Sequence, residues 1–368
     1  MFDIEDAKKH DNFRELKHSQ VTSKFIYLNG KKLLNLGSND YLGIATNKSL
    51  KYEFLNLCKD KEWFFGSGAS RLVYTSSSEF DRLESYFESK FDGKKATIFN
   101  TGYCANLSCI AALSSSETLF LCDKLIHASM IDALKISKAN FKRFEHNNYE
   151  ILNEQIAKNH SKFKEIIILS EAVFSMDGDN ADLAYLCAIK KEYKNVKLYI
   201  DEAHSFFVRN ELGNAHTLCV DKEIDFLLVT LGKGIGSSGA VILSNAFYKD
   251  IFVNSARSLI FSTAIPSICV AWSNFVLSKD FSMYRQNLEQ NIAYLGINDS
   301  HIQPFLTYEN DKTLKLSQTL CQNGYFIPAI RPPTVPKNSS RLRISLRGDI
   351  KKDELKKLKE ILDENRVF

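Results

Sequence analysis

The sequence predicts an α/β protein, with a large domain built on a mostly parallel sheet and a smaller C-terminal domain of the α+β class. Three observations support this prediction. Short apolar runs recur through the first two thirds of the chain, segments with helical spacing lie between them, and the pattern changes near residues 265–280. Strands that alternate with helices are typical of parallel sheets.

Six apolar runs are predicted to be buried strands. They are Ala96–Phe99, Thr118–Cys122, Glu165–Leu169, Lys197–Ile200, Phe226–Thr230 and Ala240–Leu243. Between such runs the spacing is helical, as where Leu83, Tyr86, Phe87 and Phe91 share one face. Ligands of parallel sheets bind at the carboxyl ends of the strands. Glu171, Asp201 and Lys233 each follow a predicted strand, so we expect a functional site there.

The last third of the chain has a different character. Arg331–Pro336 contains three prolines and is predicted to be rigid and non-helical. Arg341–Leu346 alternates like a half-buried strand, and apolar residues at 355, 358, 361 and 362 predict an amphipathic helix. We therefore predict an N-terminal segment (1–40) that packs with the small domain, a large domain (41–270) and a small C-terminal domain (271–368).

Composition excludes several classes of protein. The 368 residues include 48 basic and 44 acidic ones, and this small excess, which is scattered along the chain, argues against nucleic-acid binding. Residues 1–18 are charged and lack an apolar signal, and no run of apolar residues is long enough to span a membrane. The eight cysteines form no C-x-x-C pair, so no metal site is expected. A cytoplasmic location is expected.

Two strand ends carry the strongest chemical signal. Tyr199–His204 reads YIDEAH, and Thr230–Gly236 reads TLGKGIG. A lysine among glycines at a strand end can be desolvated and form an imine with a carbonyl group. A buried carboxylate on a neighbouring strand can pair with a protonated pyridine nitrogen.

Taken singly, each signal has an ordinary explanation. A lysine between glycines is more often a surface or phosphate-contacting residue. The DEAH tetrapeptide also resembles the Mg²⁺-binding motif of helicases, but that function requires a G-x-x-x-x-G-K-[ST] loop, which the chain lacks. Asn100–Asn106 could be a phosphate-binding helix start or a simple turn. His127 could lie flat on an aromatic ring or be a structural histidine.

The order of these four elements resembles that of the fold-type I pyridoxal-phosphate enzymes, and further motifs narrow the resemblance to the α-oxoamine synthase family. The resemblance runs from about residue 25 to the end of the chain. The motifs are Ser38–Gly43 (SNDYLG), Phe65–Arg71 (FGSGASR), Ser170–Asp179 (SEAVFSMDGD), Phe261–Pro266 (FSTAIP), Ala329–Pro336 (AIRPPTVP) and Arg341–Ser345 (RLRIS).

The resemblance implies a role for each matching residue. Lys233 would carry pyridoxal phosphate as an imine and move the substrate α-proton. Asp201 would pair with the ring nitrogen, His204 would bind the ring hydroxyl, and His127 would stack on the ring. Ser175 and Glu171 would shape the site around the ring.

The remaining implied contacts concern the phosphate, the partner subunit and the substrate. Phosphate contacts would come from Thr101, Gly102, Tyr103 and Thr230, and from Ser262 and Thr263 of the other subunit of a homodimer that shares its active sites. Substrate contacts would come from Asn39, Arg331 and Thr334. Arg71 and Arg14 are weaker candidates for binding a carboxylate or phosphate.

The implied reaction is a decarboxylative condensation of an amino acid with an acyl thioester. The C-terminal motifs favour L-alanine and a pimeloyl thioester, carried on coenzyme A or on acyl carrier protein. Glycine C-acetyltransferase, 5-aminolevulinate synthase, serine palmitoyltransferase and a non-catalytic cofactor-binding protein remain alternatives. The chain departs from the family at Glu79, often histidine, and at Ser205–Val208, usually glycine-containing. Whether the bulky Phe206 and Phe207 narrow the substrate pocket is left open by the sequence.

Overall fold

A computed structural model describes residues 4–5, 13, 16, 18–59, 61, 63, 65–73 and 77–366. Arg14 lies outside these residues. The described chain forms two compact units. The first takes the described residues up to Lys48, the segment Ser175–Asp179 and the residues from Phe281 onward; the second takes Ser49–Phe174 and Asn180–Asp280. Among the helices that the structure describes, none is long and apolar enough to cross a membrane.

The strands are numbered in chain order. They are β1 Ser19–Thr22, β2 Phe25–Leu28, β3 Lys31–Asn35, β4 Lys95–Phe99, β5 Thr118–Asp123, β6 Asn140–Phe144, β7 Glu165–Glu171, β8 Val196–Asp201, β9 Phe226–Thr230, β10 Ala240–Ser244, β11 Ile302–Tyr308, β12 Tyr325–Phe326, β13 Ala329–Ile330 and β14 Ser340–Ser345.

The α-helices with described bounds are numbered in the same way. They are α1 Lys48–Cys58, α2 Ser78–Lys90, α3 Gly102–Leu113, α4 Ala128–Ile136, α5 Tyr149–Asn159, α6 Leu183–Glu192, α7 Gly213–Thr217, α8 Ala246–Ser255, α9 Arg257–Ile260, α10 Ser267–Leu277, α11 Ser282–Leu295, α12 Asn310–Gln322 and α13 Lys356–Glu364.

The second unit contains a seven-stranded sheet in the order β4-β10-β9-β8-β7-β5-β6. Only β10 runs antiparallel, and it pairs with both β4 and β9. The mostly parallel α/β sheet is therefore confirmed, and all six predicted strands are present with small shifts of their ends. The edge strand β6 was not predicted, because NFKRF has only two apolar residues and buries only Phe144.

The first unit contains two small sheets, with orders β1-β2-β3-β12 and β11-β14-β13. The strand expected over Arg341–Leu346 is present as β14, but the expectation that it is half-buried is wrong. All six residues of β14 are buried, and β14 is the middle strand of its sheet. Its charged Arg341 is compensated by an ion pair with Asp177. The predicted domain bounds stay a prediction.

A hydrophobic core holds the helices that begin at the carboxyl edge of the large sheet. Ala105, Cys109 and Ile110 of α3 pack in one cluster with Phe120 of β5 and Leu169 of β7. Fully buried apolar surface of this kind contributes about 25 cal/mol per Å². The start of α3 is thereby fixed close to the strand ends that carry the polar residues.

Candidate active site

The carboxyl ends of β7, β8 and β9 bring together the residues that the sequence singled out. Glu171 ends β7 and Asp201 ends β8, and the two residues are register neighbours. Lys233 follows the end of β9, and its Nζ lies 2.7 Å from Nε2 of His204. His204 is buried and Lys233 is half-buried. An amine, a carboxylate and an imidazole therefore share one edge of the sheet.

Two donors fix the plane of the Asp201 carboxylate. The backbone amide of Ala203 donates to Oδ1 at 2.9 Å, and the side-chain amide of Asn106 donates to Oδ2 at 2.9 Å. Asp201 is 5% exposed. A buried, oriented carboxylate suits a charge-assisted hydrogen bond with a protonated ring nitrogen.

The lysine loop is shaped by close backbone contact. A Cβ at Gly234 would lie 2.6 Å from the carbonyl oxygen of Phe206. Phe206 and Phe207 are buried, and the ring of Phe206 packs against that of Phe87 at 5.5 Å between centroids. The two bulky residues therefore fill the core of this unit, and their backbone backs the lysine loop.

The start of α3 forms an anion-binding geometry beside β9. Thr101 caps the helix, and its Oγ1 accepts a hydrogen bond from the amide of Cys104 at 3.1 Å. A Cβ at Gly102 would lie 2.7 Å from Cγ2 of Thr230, so only glycine fits against the end of β9. The positive end of the helix dipole favours a phosphate here. Tyr103 is exposed and donates its hydroxyl proton to Asp132.

The segment with Ser262 and Thr263 lies beside this helix start in the same chain. Asn100 donates its side-chain amide to the carbonyl oxygen of Thr263 at 2.6 Å. The amide of Ala264 donates to the carbonyl oxygen of Ala69 at 2.9 Å, which joins this segment to the glycine-rich motif. The predicted contact with a partner subunit's phosphate stays a prediction.

His127 and Glu171 are linked through the backbone. His127 caps the start of α4, and its Nδ1 accepts from the amide of Ser129 at 3.2 Å. Burial lowers the pKa of His127, and the positive charge of Lys233 acts in the same direction. The amide of His127 donates to Glu171, whose pKa burial raises well above its usual range, with Asp201 adding to the rise. Among the described residues, no side chain or backbone group meets Oε1 of Glu171.

Two predicted site residues of the first unit, Asn39 and Ser175, contact an arginine that was not predicted to be functional. The guanidinium of Arg343 donates to the carbonyl oxygen of Ser175 at 2.5 Å and to Oδ1 of Asn39 at 3.1 Å. Arg331 is half-buried, and its carbonyl oxygen accepts from the amide of the exposed Thr334. Arg343 escaped notice because it stands in an alternating strand pattern that assigned it to a solvent face.

One departure from the family, Glu79, and one weak candidate, Arg71, have structural partners. Arg71 forms an ion pair with Glu84 at 2.5 Å and lies over the ring of Phe80. Glu79 accepts a hydrogen bond at 2.8 Å from the side-chain amide of Asn274. These contacts anchor α2 within the second unit.

The donor set at the strand ends fits pyridoxal phosphate. A lysine amine, an oriented carboxylate and two imidazoles lie at one sheet edge, beside a helix start that only glycine permits. Among the described residues, the buried Oε1 of Glu171 at this edge has no hydrogen-bond partner.

Comparison with known proteins gives a consistent answer. Residues 31–362 match the profile of the aminotransferase class I and II family. A Haemophilus influenzae protein provisionally named 8-amino-7-oxononanoate synthase is 39% identical over 367 residues, which cover 96% of this chain and 97% of that protein. A Neisseria meningitidis serogroup C protein with the same provisional name is 38% identical over 96% of this chain and 97% of its own.

Solved structures agree in fold. The 8-amino-7-oxononanoate synthase of Francisella tularensis superposes with a TM-score of 0.75 at 25% identity, over 90% of this chain and 97% of that one. The serine palmitoyltransferase of Sphingomonas wittichii superposes with a TM-score of 0.86 at 22% identity, over 98% of this chain and 94% of that one. The fold-type I assignment is therefore confirmed.

The chain belongs to the class I and II aminotransferase family of pyridoxal-phosphate enzymes. Within that fold it is a pyridoxal-phosphate-dependent acyltransferase of the α-oxoamine synthase type. The predicted family, cofactor and enzyme class are thereby confirmed.

Proposed function

We propose that the enzyme condenses L-alanine with a pimeloyl thioester and releases 8-amino-7-oxononanoate, CO₂ and the free thiol carrier, as a step of biotin biosynthesis. The observation that carries this proposal is the near-full-length similarity to relatives of that name. The amine, carboxylate and imidazoles at the sheet edge support the chemistry, because such condensation needs a carbanion at the amino-acid α-carbon.

We assign the cofactor-holding roles to residues of one sheet edge. Lys233 would hold the cofactor covalently through Nζ until the substrate's amino group replaces it there, and the freed Nζ amine would then take and return the proton of the amino-acid α-carbon. Asp201 holds the proton of the ring nitrogen, His204 orients the ring hydroxyl, and His127 covers the ring face. When bound, the cofactor's ring withdraws electrons from the amino-acid α-carbon. The 2.7 Å contact between Lys233 and His204 supports this assignment.

The phosphate roles require a homodimer in our proposal. Each site would combine one chain's helix start with two residues of its partner. One chain would supply Thr101, Gly102, Tyr103 and Thr230, and the partner chain would supply Ser262 and Thr263. A C2 dimer would supply both sites by symmetry.

The amino-acid carboxylate is assigned to Asn39, Arg331 and Thr334, with Ser175 near the ring. The contact of Arg343 with both Asn39 and Ser175 makes Arg343 a second candidate for the carboxylate-binding guanidinium. A comparison of Arg331→Gln with Arg343→Gln in the KM for alanine separates the two. We further propose a cytoplasmic location and either coenzyme A or acyl carrier protein as the thiol carrier.

The decisive test combines spectra with product analysis. The purified holoenzyme is expected to show a visible cofactor band that L-alanine changes, and to release one labelled CO₂ per turnover from carboxyl-labelled alanine with a pimeloyl thioester. Offering the acyl group on coenzyme A and on acyl carrier protein identifies the carrier. A band that answers only glycine or serine, with acetyl or palmitoyl thioesters as productive partners, would assign the enzyme to a sister activity.

The role of Lys233 is tested against a matched surface lysine. Lys233→Ala is expected to lose the lysine-dependent visible band and more than about 10³-fold in turnover, because both covalent holding and proton transfer are lost. Lys222→Ala removes a lysine that forms an exposed ion pair with Asp92 and should keep wild-type turnover. Normal turnover by Lys233→Ala would refute the mechanism.

The shared site is tested by mixing defective subunits. Lys233→Ala and Thr263→Ala chains, refolded together in equal amounts, give about half heterodimers, and each heterodimer restores one of its two sites if Thr263 acts in the partner's site. About a quarter of wild-type activity is then expected. A mixture no more active than the separate variants would contradict the shared site.

A further inference from the structure

A buried hydrogen-bond network joins the two groups that we assign to the cofactor ring. Its centre is Asn106 on the second turn of α3, which is 1% exposed. The side-chain amide donates to Oδ2 of Asp201 at 2.9 Å and to Oγ of Ser129 at 3.0 Å, and its Oδ1 accepts from the hydroxyl of Tyr199 at 2.9 Å. Every polar atom of this amide is thus used.

The partners determine which way the amide of Asn106 points. An ionised carboxylate only accepts hydrogen bonds, so the nitrogen of Asn106 must face Asp201. A flipped amide would set its oxygen against the Asp201 carboxylate and its NH₂ group against Tyr199. One hydrogen of the amide therefore goes to Asp201 and the other goes to Ser129.

The hydrogen bonds of Ser129 then determine which ring nitrogen of His127 carries a proton. Oγ of Ser129 lies 2.8 Å from Nδ1 of His127 and already accepts from Asn106, which leaves its own proton for Nδ1. The backbone amide of Ser129 also donates to Nδ1, at 3.2 Å. A backbone amide can only donate, so the direction of this hydrogen bond is fixed. With two donors directed at it, Nδ1 carries no proton, and the proton of the neutral imidazole is on Nε2.

We propose that Asn106 is a positioning residue that orients the Asp201 carboxylate and, through Ser129, holds His127 in the neutral Nε2–H tautomer. This inference rests on the proposed function for the role of the ring but not for the network itself. A neutral imidazole can cover a protonated pyridine ring without like-charge repulsion. The same amide thus fixes the group at the ring nitrogen and the group on the ring face.

The test reads the tautomer directly. The full chain, labelled with ¹⁵N-histidine, is studied by long-range ¹H–¹⁵N correlation with and without cofactor at pH 7.5, and His127→Gln assigns the signals. Wild type is expected to show the Nε2–H pattern in both states. Asn106→Leu is expected to show a mixture of tautomers and a cofactor Kd raised about tenfold or more, since it leaves buried groups unpaired.

A matched control lies on the same helix. Ser108 is buried and bonds to Ser258 outside the network, so Ser108→Ala should keep both the tautomer and the Kd within about twofold. Tyr199→Phe removes only the donor to Oδ1 of Asn106 and is expected to give a smaller shift in the same direction. If Asn106→Leu does not fold, Tyr199→Phe decides the question.

An Nδ1–H pattern for His127 in the wild type would overturn the inference. An unchanged His127 signal in folded Asn106→Leu would also overturn it. If Asn106→Leu does not fold, an unchanged His127 signal in Tyr199→Phe would do so. Neither readout needs alanine or a thioester. An enzyme with the predicted tautomer and no condensation activity would therefore refute the proposed function alone.

Discussion

Replacing Glu202 with glutamine tests how a buried acid organises the turn that carries Asp201 and His204. Glu202 is fully buried, and Oε1 of its carboxyl group accepts a hydrogen bond from the amide of Ala215 at 2.6 Å. A Cβ at Gly213 would overlap Oε2, which meets no hydrogen-bond partner among the described residues. The carboxyl group therefore ties the start of α7 to the end of β8.

The sign of the pH dependence follows from the pKa of this acid. Burial raises the pKa of Glu202 to about 8, and the Ala215 amide opposes part of that rise. The folded state then holds a proton that the unfolded state, with a pKa near 4.5, has released. The stabilising contribution is complete below about pH 4.5 and is lost as the pH rises through about 8.

The magnitude follows from about 1.4 kcal/mol per pH unit within this window. From about pH 5.5 to about pH 7.5, Glu202 should lower the free energy of unfolding by about 3 kcal/mol. Glu202→Gln keeps the shape and cannot ionise. Its free energy of unfolding relative to wild type should therefore rise by the same amount over this range.

The assay is urea unfolding of both proteins across this pH range at saturating cofactor. Glu154→Gln serves as the control, because Glu154 is exposed in an ion pair with Lys158 and should give a flat difference within about 0.5 kcal/mol. A flat difference for Glu202→Gln as well would refute a buried neutral acid at this position.

Two further substitutions test close contacts. Gly102→Ala should raise the cofactor Kd about tenfold or more, because the new Cβ would lie 2.7 Å from Cγ2 of Thr230. Adding Thr230→Ser removes that methyl group and should restore much of the affinity. A cofactor titration that finds no loss of affinity in the single variant would contradict the tight fit. Gly213→Ala should lower the free energy of unfolding by roughly 2–4 kcal/mol, and Gly93→Ala should lower it by about 1 kcal/mol. Both glycines have positive φ, but only a Cβ at Gly213 would also overlap the Glu202 carboxyl group. Equal urea midpoints for these two variants would show that the overlap is relieved at little cost.

Much of the large sheet could be predicted because its strands are buried on both faces and therefore apolar throughout. β9, for example, reads FLLVT and is entirely buried. The edge strand β6 could not be predicted, since NFKRF has only two apolar residues and buries only Phe144. The burial of β14 could not be predicted either, because its arginines are compensated by partners from distant parts of the chain. Asp177, for example, forms an ion pair with Arg341.

The sequence by itself determined the positions of six strands along the chain, the polar residues at their carboxyl ends and the family that these residues indicate. These features are local, since a strand and the residue that follows it are adjacent in the chain. Only the tertiary structure decided that Asn106 bridges Asp201 and Ser129, that Glu202 is a buried acid and that Phe206 fills the core. The physical reason is that burial and hydrogen bonding in these cases depend on groups far apart in sequence, such as Asn106 and Asp201, which only the packed fold brings within reach.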